Sequence, residues 1–234
     1  MLADSGRNGV MTMLSVRRRS VLLRLGASAL KSTVSASGLS DAGLQSDAHE
    51  AFDQLADDAD WPGQFANQIY LVEMVLPVTA FYRALRQRGW AQSDAVRTVH
   101  QAFLATGSAQ RRLFALLLRT RLGARLYLRS LRPNWLGLTP PPANQWTVAR
   151  RGSDTLIEVS RCYRLDAFRQ LGAPEVAFVA CYFEGMVMDV SPFIDLTFTS
   201  MATGAERCRI DFELLDKTTK QPVEPDRYLR PPAA

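Results

Sequence analysis

Histidine, cysteine and lysine are scarce in this chain. Of its 234 residues two are histidine, at positions 49 and 100, and three are cysteine, so a histidine-rich metal site is not available and a Ser-His-Asp triad is hard to assemble. No phosphate-cradling Gly-rich loop, nucleophile elbow, HExxH or CxxC knuckle is present. Three unevenly spaced cysteines do not make an even disulfide framework, and a chain this long does not need one to fold. The thiols read as reduced, in a cytoplasmic protein. No window holds the roughly eighteen uncharged apolar residues that a membrane-spanning helix requires. Only three of the 28 basic residues are lysines, Lys31, Lys217 and Lys220, and the formal charge of +5 comes without a zinc-finger, RNP or helix-turn-helix signature. Nucleic acid is therefore not an expected partner.

With 47% hydrophobic and 22% charged residues the composition is globular and can bury a substantial core. Residues 1–45 stand apart. Ser15-Val16-Arg17-Arg18-Arg19-Ser20-Val21-Leu22-Leu23 has the form of a twin-arginine export signal, although Arg24 and Lys31 interrupt its apolar region. This segment is read as a flexible leader or an export signal and is left out of the fold, export being the alternative to a cytoplasmic location.

Residues 46–132 read as helical. Asp47, Glu50, Asp53, Asp57, Asp58 and Asp60 alternate with Ala48, Phe52 and Leu55 in a solvated helix starting near Ser46, which carries His49 on its surface. Ile69, Val72, Val75, Leu76, Phe81 and Leu85 recur at helical spacing; Pro77 should kink or split that helix, and Gly89 closes it. Ser93-Asp94 starts another helix, with His100 beside Val99, ending near Gly107. From Ser108 to Leu131 a single amphipathic helix is expected. Arg111, Arg121, Arg125, Arg129 and Arg132 gather on one side, and Leu113, Leu116, Leu117, Leu128 and Leu131 on another. Because Asp94 is the one acidic residue between Met74 and Ser153, these arginines are expected to pair with the acidic 47–60 helix.

Pro133, Asn134, Gly137 and Pro140-Pro141-Pro142 mark a linker over 133–144. The α+β region, 145–217, follows. Strands are expected over 146–149 and 156–159 around Arg151-Gly152-Ser153-Asp154, then a helix from Tyr163 closed by Gly172, a further helix opened by Pro174 running toward Cys181, and two strands, 194–202 and 207–214. Residues 218–234 read as an irregular tail. The fold class is α+β: an N-terminal helical layer followed by a small antiparallel-sheet domain.

All three cysteines fall in that last region, and with the nearby carboxylates they form the candidate site: Cys162, Cys181, Glu184, Asp189, Cys208 and Asp211. Glu184 lies about one helical turn beyond Cys181. Strand alternation puts Cys208, Ile210 and Phe212 on one face and Arg209, Asp211 and Glu213 on the other, which turns Asp211 away from Cys208. Cysteine is more often a small buried hydrophobe than a nucleophile, and the wide cysteine separations are a weak metal signature, so no metal or other cofactor is assigned.

Arg161-Cys162, Leu171-Gly172-Ala173-Pro174-Glu175, Cys181-Tyr182-Phe183-Glu184 and the run Thr197-Phe198-Thr199 to Gly204, Cys208 and Asp211-Phe212 together resemble the L-2-amino-thiazoline-4-carboxylic acid hydrolases, over about 65–215. Two departures stand out: Glu184 where that family has aspartate, and Arg209-Ile210 set between Cys208 and Asp211. The resemblance implies a hydrolase that opens a cyclic C=N bond to a carbamoyl-amino-acid type product. It implies catalytic roles for Cys181, Glu184, Cys208 and Asp211, and substrate contacts from Cys162, Arg161, Thr199 and Arg209, the arginines holding a substrate carboxylate. Two other readings stand beside it. One is a non-catalytic small-ligand-binding or accessory domain of the same fold, and the other a membrane-surface or partner-binding protein working through the basic helix 111–132.

Overall fold

The structure, a computed structural model, describes residues 5–39 and 41–216. Its architecture is α+β: a helical N-terminal region and a four-stranded antiparallel sheet. The 218–234 tail lies outside the described residues.

The first helix, α1 (Ser5–Ala36), occupies most of the segment that the sequence reading leaves out of the fold. That exclusion does not hold for its C-terminal half, because Leu22, Leu30 and Val34 are buried in the main core. Gly26 lets α1 approach: a Cβ there would lie 2.6 Å from the Phe52 ring and 2.7 Å from the Val72 carbonyl oxygen. Next, α2 (Ala42–Asp58) begins four residues before the expected start, capped by the Asp41 carboxylate, which accepts from the Gly43 and Leu44 amides. His49 is exposed on this helix, with Nδ1 2.9 Å from the Gln45 carbonyl oxygen.

The expected break at Pro77 takes a particular form. Helix α3 (Phe65–Tyr70) runs into a π turn (Leu71–Val75) and then α4 (Leu76–Gln87), with Pro77 in the first turn of α4. The Leu76 amide bonds back to the Leu71 carbonyl, so the ladder shifts by one residue just before the residue that has no N–H to give. Gly89 closes the segment in a left-handed conformation that its missing Cβ permits. Helix α5 (Gln92–Thr106) follows as expected.

The single helix expected over 108–131 is two, α6 (Ser108–Leu117) and α7 (Arg121–Leu138). The break is held from a distance, since the Ser191 hydroxyl donates to the Leu118 carbonyl (3.0 Å) and Leu118 is buried. The linker is correspondingly shorter than expected, because α7 continues through Pro133 to Leu138. Leu128 and Leu131 face the core, but Leu113, Leu116 and Leu117 do not and are more than half exposed. Nor, among the described residues, do Arg121, Arg125 and Arg129 pair with the acidic helix: Asp41 and Asp47 take Arg88, Asp57 takes Arg19, and Arg121 takes Asp216.

Strands β1 (Gln145–Arg151), β2 (Asp154–Arg161), β3 (Ile194–Thr199) and β4 (Cys208–Leu214) pair in the order β1-β2-β4-β3, every neighbour antiparallel. Between β2 and β3 come α8 (Tyr163–Gln170) and α9 (Phe178–Met188). One sheet face is a continuous row through the register pairs Trp146↔Val159, Val159↔Cys208, Ile157↔Ile210 and Ile210↔Phe198.

The cores do not divide at the Pro-rich segment. Leu165, Phe168, Val176 and Val179 of the α8–α9 region belong to the same core as α1, α2, α4 and α5, while Leu128 and Leu131 of α7 pack with Ile157, Ile194 and Phe212 of the sheet. Buried Asn144 joins the parts. Its Nδ2 donates to Asn67 Oδ1 (3.2 Å) and the Pro140 carbonyl (3.3 Å), and its Oδ1 accepts from the Tyr163 amide (2.9 Å).

Candidate functional site

The inward face of the sheet and the start of α8 and middle of α9 enclose a small pocket where the three cysteines meet. Cys208 arrives from β4, Cys162 from the end of β2 as the residue before α8, and Cys181 and Glu184 from one face of α9. Trp146, Val159, Leu196, Phe198 and Ile210 complete its apolar wall. The spacing of Cys181 and Glu184 therefore does place both on one side of a helix, as a helical turn requires.

Two residues that the sequence reading passes over are central. Arg164 donates to both oxygens of Glu184, Nη1 to Oε1 at 2.5 Å and Nη2 to Oε2 at 3.0 Å, and its side chain is only 9% exposed. The signal was there: Arg164, Phe168 and Leu171 follow the spacing of a buried helical face, with an arginine where an apolar residue is usual. Ser200 links the thiols. Its hydroxyl donates to Cys181 Sγ (3.1 Å), accepts from the Cys208 thiol (3.9 Å) and caps the turn Met201–Thr203 through the Ala202 amide. The Met201 amide in turn donates to Cys208 Sγ at 3.3 Å.

Burial pushes the Cys181 thiol up to about 12, against the opposing pull of the Arg164 charge. Cys208 is likewise raised by burial, partly offset by the Met201 amide. At neutral pH the Cys181 thiolate is then only about one part in 10⁵, far from the activated state that a nucleophile needs. For Arg164 burial is the largest single influence and opposes the charge, but the Glu184 carboxylate together with Cys162 and Tyr70 outweighs it and raises the pKa well above the usual arginine value. Tyr70 flanks the pair: its ring lies 4.8 Å under the Arg164 guanidinium, and burial, then the nearby Glu184 charge, raise its pKa.

Of the residues expected at the site, Cys162, Cys181, Glu184, Thr199 and Cys208 line this pocket. The others do not. Arg209 and Asp211 lie on the solvent face of β4 and pair with each other at 3.1 Å, since strand alternation turns them away from Cys208, and Arg161 is exposed and pairs with Asp166. Asp189 closes α9 as a buried cap. His100 is fully buried between the rings of Phe178 and Tyr182, outside the cysteine pocket. Among the described residues no group of three or more His, Cys, Asp or Glu is arranged to hold a metal ion.

The cysteine pocket is tight, with a cavity of about 40 Å³, room for a water or two. On the other side of Glu184 and Thr139 opens a second cavity of about 1200 Å³. It is mainly apolar, walled by Phe65, Ile69, Met74, Phe103, Phe114 and Val187, with α1 forming one side through Leu25, Ala29 and Thr33.

These features define a class, an α+β protein with a charged pair buried between a thiol pocket and a large apolar cavity. No family model matches the chain, and no curated protein does. Among solved structures, an H-NOX protein from S. oneidensis in the Fe(II)NO ligation state aligns over 72% of this chain and 90% of its own, with 13% identity and a TM-score of 0.26.

Proposed function

We propose that this chain is a non-catalytic small-molecule-binding protein whose ligand occupies the large apolar cavity, with the Tyr70–Glu184–Arg164 network as its polar end. The observation that carries the reading is the state of the chemistry-bearing groups. Both hydrogen-bonding edges of the Glu184–Arg164 pair face each other, and the Cys181 and Cys208 thiols are held neutral by burial, so the site is built to stay as it is. The cavity of about 1200 Å³ exceeds the roughly 300–1,000 Å³ of ordinary ligand pockets, which fits a large, mainly apolar molecule with a polar terminus. The reduced thiols fit a cytoplasmic setting. The test is a fluorescence titration with an anilinonaphthalene sulfonate probe against wild type and an Ala29→Trp/Ala66→Trp variant that crowds the cavity from two walls. Saturable binding by the first and clearly weakened binding by the equally stable second are expected; binding indifferent to the double substitution would defeat the reading.

The convergence of Cys162, Cys181, Cys208 and Glu184 favours a second reading, hydrolysis of a carboxylate-bearing heterocycle resembling a thiazoline. The oxygen of water would bond to the amidine carbon of the ring, the ring C–S bond would break with sulfur leaving as a protonated thiol, and collapse to the carbonyl would leave the N-carbamoyl product. For this, substrate would have to separate Glu184 from Arg164, leaving the arginine for the substrate carboxylate and Glu184 for proton transfer. Turnover of 2-aminothiazoline-4-carboxylate by wild type, absent from a folded Cys181→Ala variant, would establish it; no turnover by wild type leaves the binding role.

A further inference from the structure

The leucines of α6 and α7 that the core does not take are accompanied by arginines, and the two sets are ordered. Leu113, Leu116 and Leu117 on α6 and Leu122 and Leu126 on α7 are 54–66% exposed. At about 100° per residue, Leu122 and Leu126 point away from buried Ala124 and Leu131. Arg121, Arg125 and Arg129 form the adjoining row, and the Phe114–Tyr127 ring contact, centroids 5.9 Å apart, holds α6 against α7. The arginine row does not simply cover solvent. With Arg150 of β1 and the turn residues Gly152 and Ser153 it lines a groove of about 320 Å³ between α7 and the β1–β2 hairpin.

The carboxylates near the groove are largely engaged. Asp216 pairs with Arg121 (2.5 Å), and Asp154 accepts from the Leu214 amide (3.1 Å) and the Ser153 hydroxyl (3.3 Å). Arg150 donates to the Arg129 carbonyl (2.7 Å). The Arg125 guanidinium has no hydrogen-bond or ion-pair partner among the described residues, and from Ala95 to Ser153 the sequence contains no acidic residue at all. Exposed leucines, with Leu122 and Leu126 of α7 directly adjoining the arginine row of a cationic groove, match one kind of environment: acyl chains bordered by phosphates.

We infer that the α6–α7 face docks on an anionic phospholipid bilayer, the exposed leucines entering the acyl boundary while Arg121, Arg125, Arg129 and Arg150 take lipid phosphates in the groove. No helix among the described residues is long and apolar enough to cross a membrane, so the contact is peripheral. This inference is independent of what fills the apolar cavity. It also gives the leucines a role that a soluble core does not.

The experiment is co-sedimentation of the full chain with phosphatidylcholine vesicles, with and without phosphatidylglycerol, using Leu122→Gln/Leu126→Gln and Arg125→Gln/Arg129→Gln variants whose thermal melts match wild type. Binding to the phosphatidylglycerol vesicles is expected, weak on phosphatidylcholine alone and falling with salt. The arginine pair should weaken it by about thirtyfold, two charges near an anionic surface, and the leucine pair by at least about tenfold. Four results overturn the inference: no association with anionic vesicles; association untouched by either pair; binding of soluble glycerophosphate or of duplex DNA without vesicle binding; or self-association abolished by the leucine pair in a protein that ignores vesicles.

Discussion

His100 shows how one buried side chain can dominate a pH response. Neither of its ring nitrogens has a hydrogen-bond partner among the described residues, and burial lowers its pKa to about 4 from 6.5. The neutral ring is the one that folding accepts. The stability that depends on it is complete above pH about 6.5, declines as the pH falls below that value and is lost by about 4, a difference on the order of 3 kcal/mol. Urea denaturation across this range should show His100→Leu losing less stability than wild type on acidification; parallel curves would count against it. The Arg164–Glu184 pair makes a second test. Glu184→Gln leaves a buried guanidinium half-matched and should cost about 3 kcal/mol, whereas the double variant Arg164→Met/Glu184→Met should recover most of that in chemical denaturation. Strand alternation already gave the orientation of Cys208 and Asp211 in the sequence. The pairing of Arg164 with Glu184 did not show there, because twenty residues of chain separate two side chains that meet only when α8 and α9 pack.

At the scale of elements, α1 hangs on the closeness allowed by Gly26. On an exposed helix Gly→Ala stabilises by up to about 1 kcal/mol, so the sign of the effect is informative. Here the added methyl meets the Phe52 ring and the fixed Val72 carbonyl, and Gly26→Ala should instead destabilise by about 1–3 kcal/mol, with protease cleavage in α1 appearing first. An unchanged or raised melting temperature would contradict the packing of α1. Most elements after Ser46 were legible from periodicity and punctuation, Gly89, Gly152, Gly172 and Gly204 all taking positive φ at turns. The basic, apolar composition of residues 15–36 hid α1, since an export signal and a docked helix share that pattern. The break between α6 and α7 was hidden for another reason. It is set by Ser191, far along the chain, and by Gly123, where a Cβ would lie 2.3 Å from the Leu117 carbonyl oxygen.

For the molecule as a whole, the interleaving of the cores matters more than the Pro-rich segment that suggested a boundary. Helices α8 and α9 complete the helical core, α7 covers the sheet, and Cys162 and Met201 touch both cores. Unfolding should be one transition: urea curves followed by tryptophan fluorescence and by far-ultraviolet dichroism should coincide. Separate midpoints would restore a two-domain description. Composition and local pattern gave the α+β class correctly, but which helix joins which core depends on contacts across more than a hundred residues, which no local pattern encodes.

The π turn at Leu71–Val75 has a geometric effect that reaches the cavity. It carries one residue more than an α-helical turn would, and one residue is about 100° of rotation. The extra residue sets the azimuth of everything before it relative to α4, including Tyr70, and so aims a phenol at Glu184. Deleting one residue from this turn would restore regular helix and leave the core of α4 intact, yet swing the face of α3 by about a quarter turn. Tyr70 would leave the Arg164–Glu184 pair and another side chain would meet the cavity, whose wall already includes Met74 of the turn itself, so insertion or deletion of a single residue here would reshape both the polar end and one wall of the cavity.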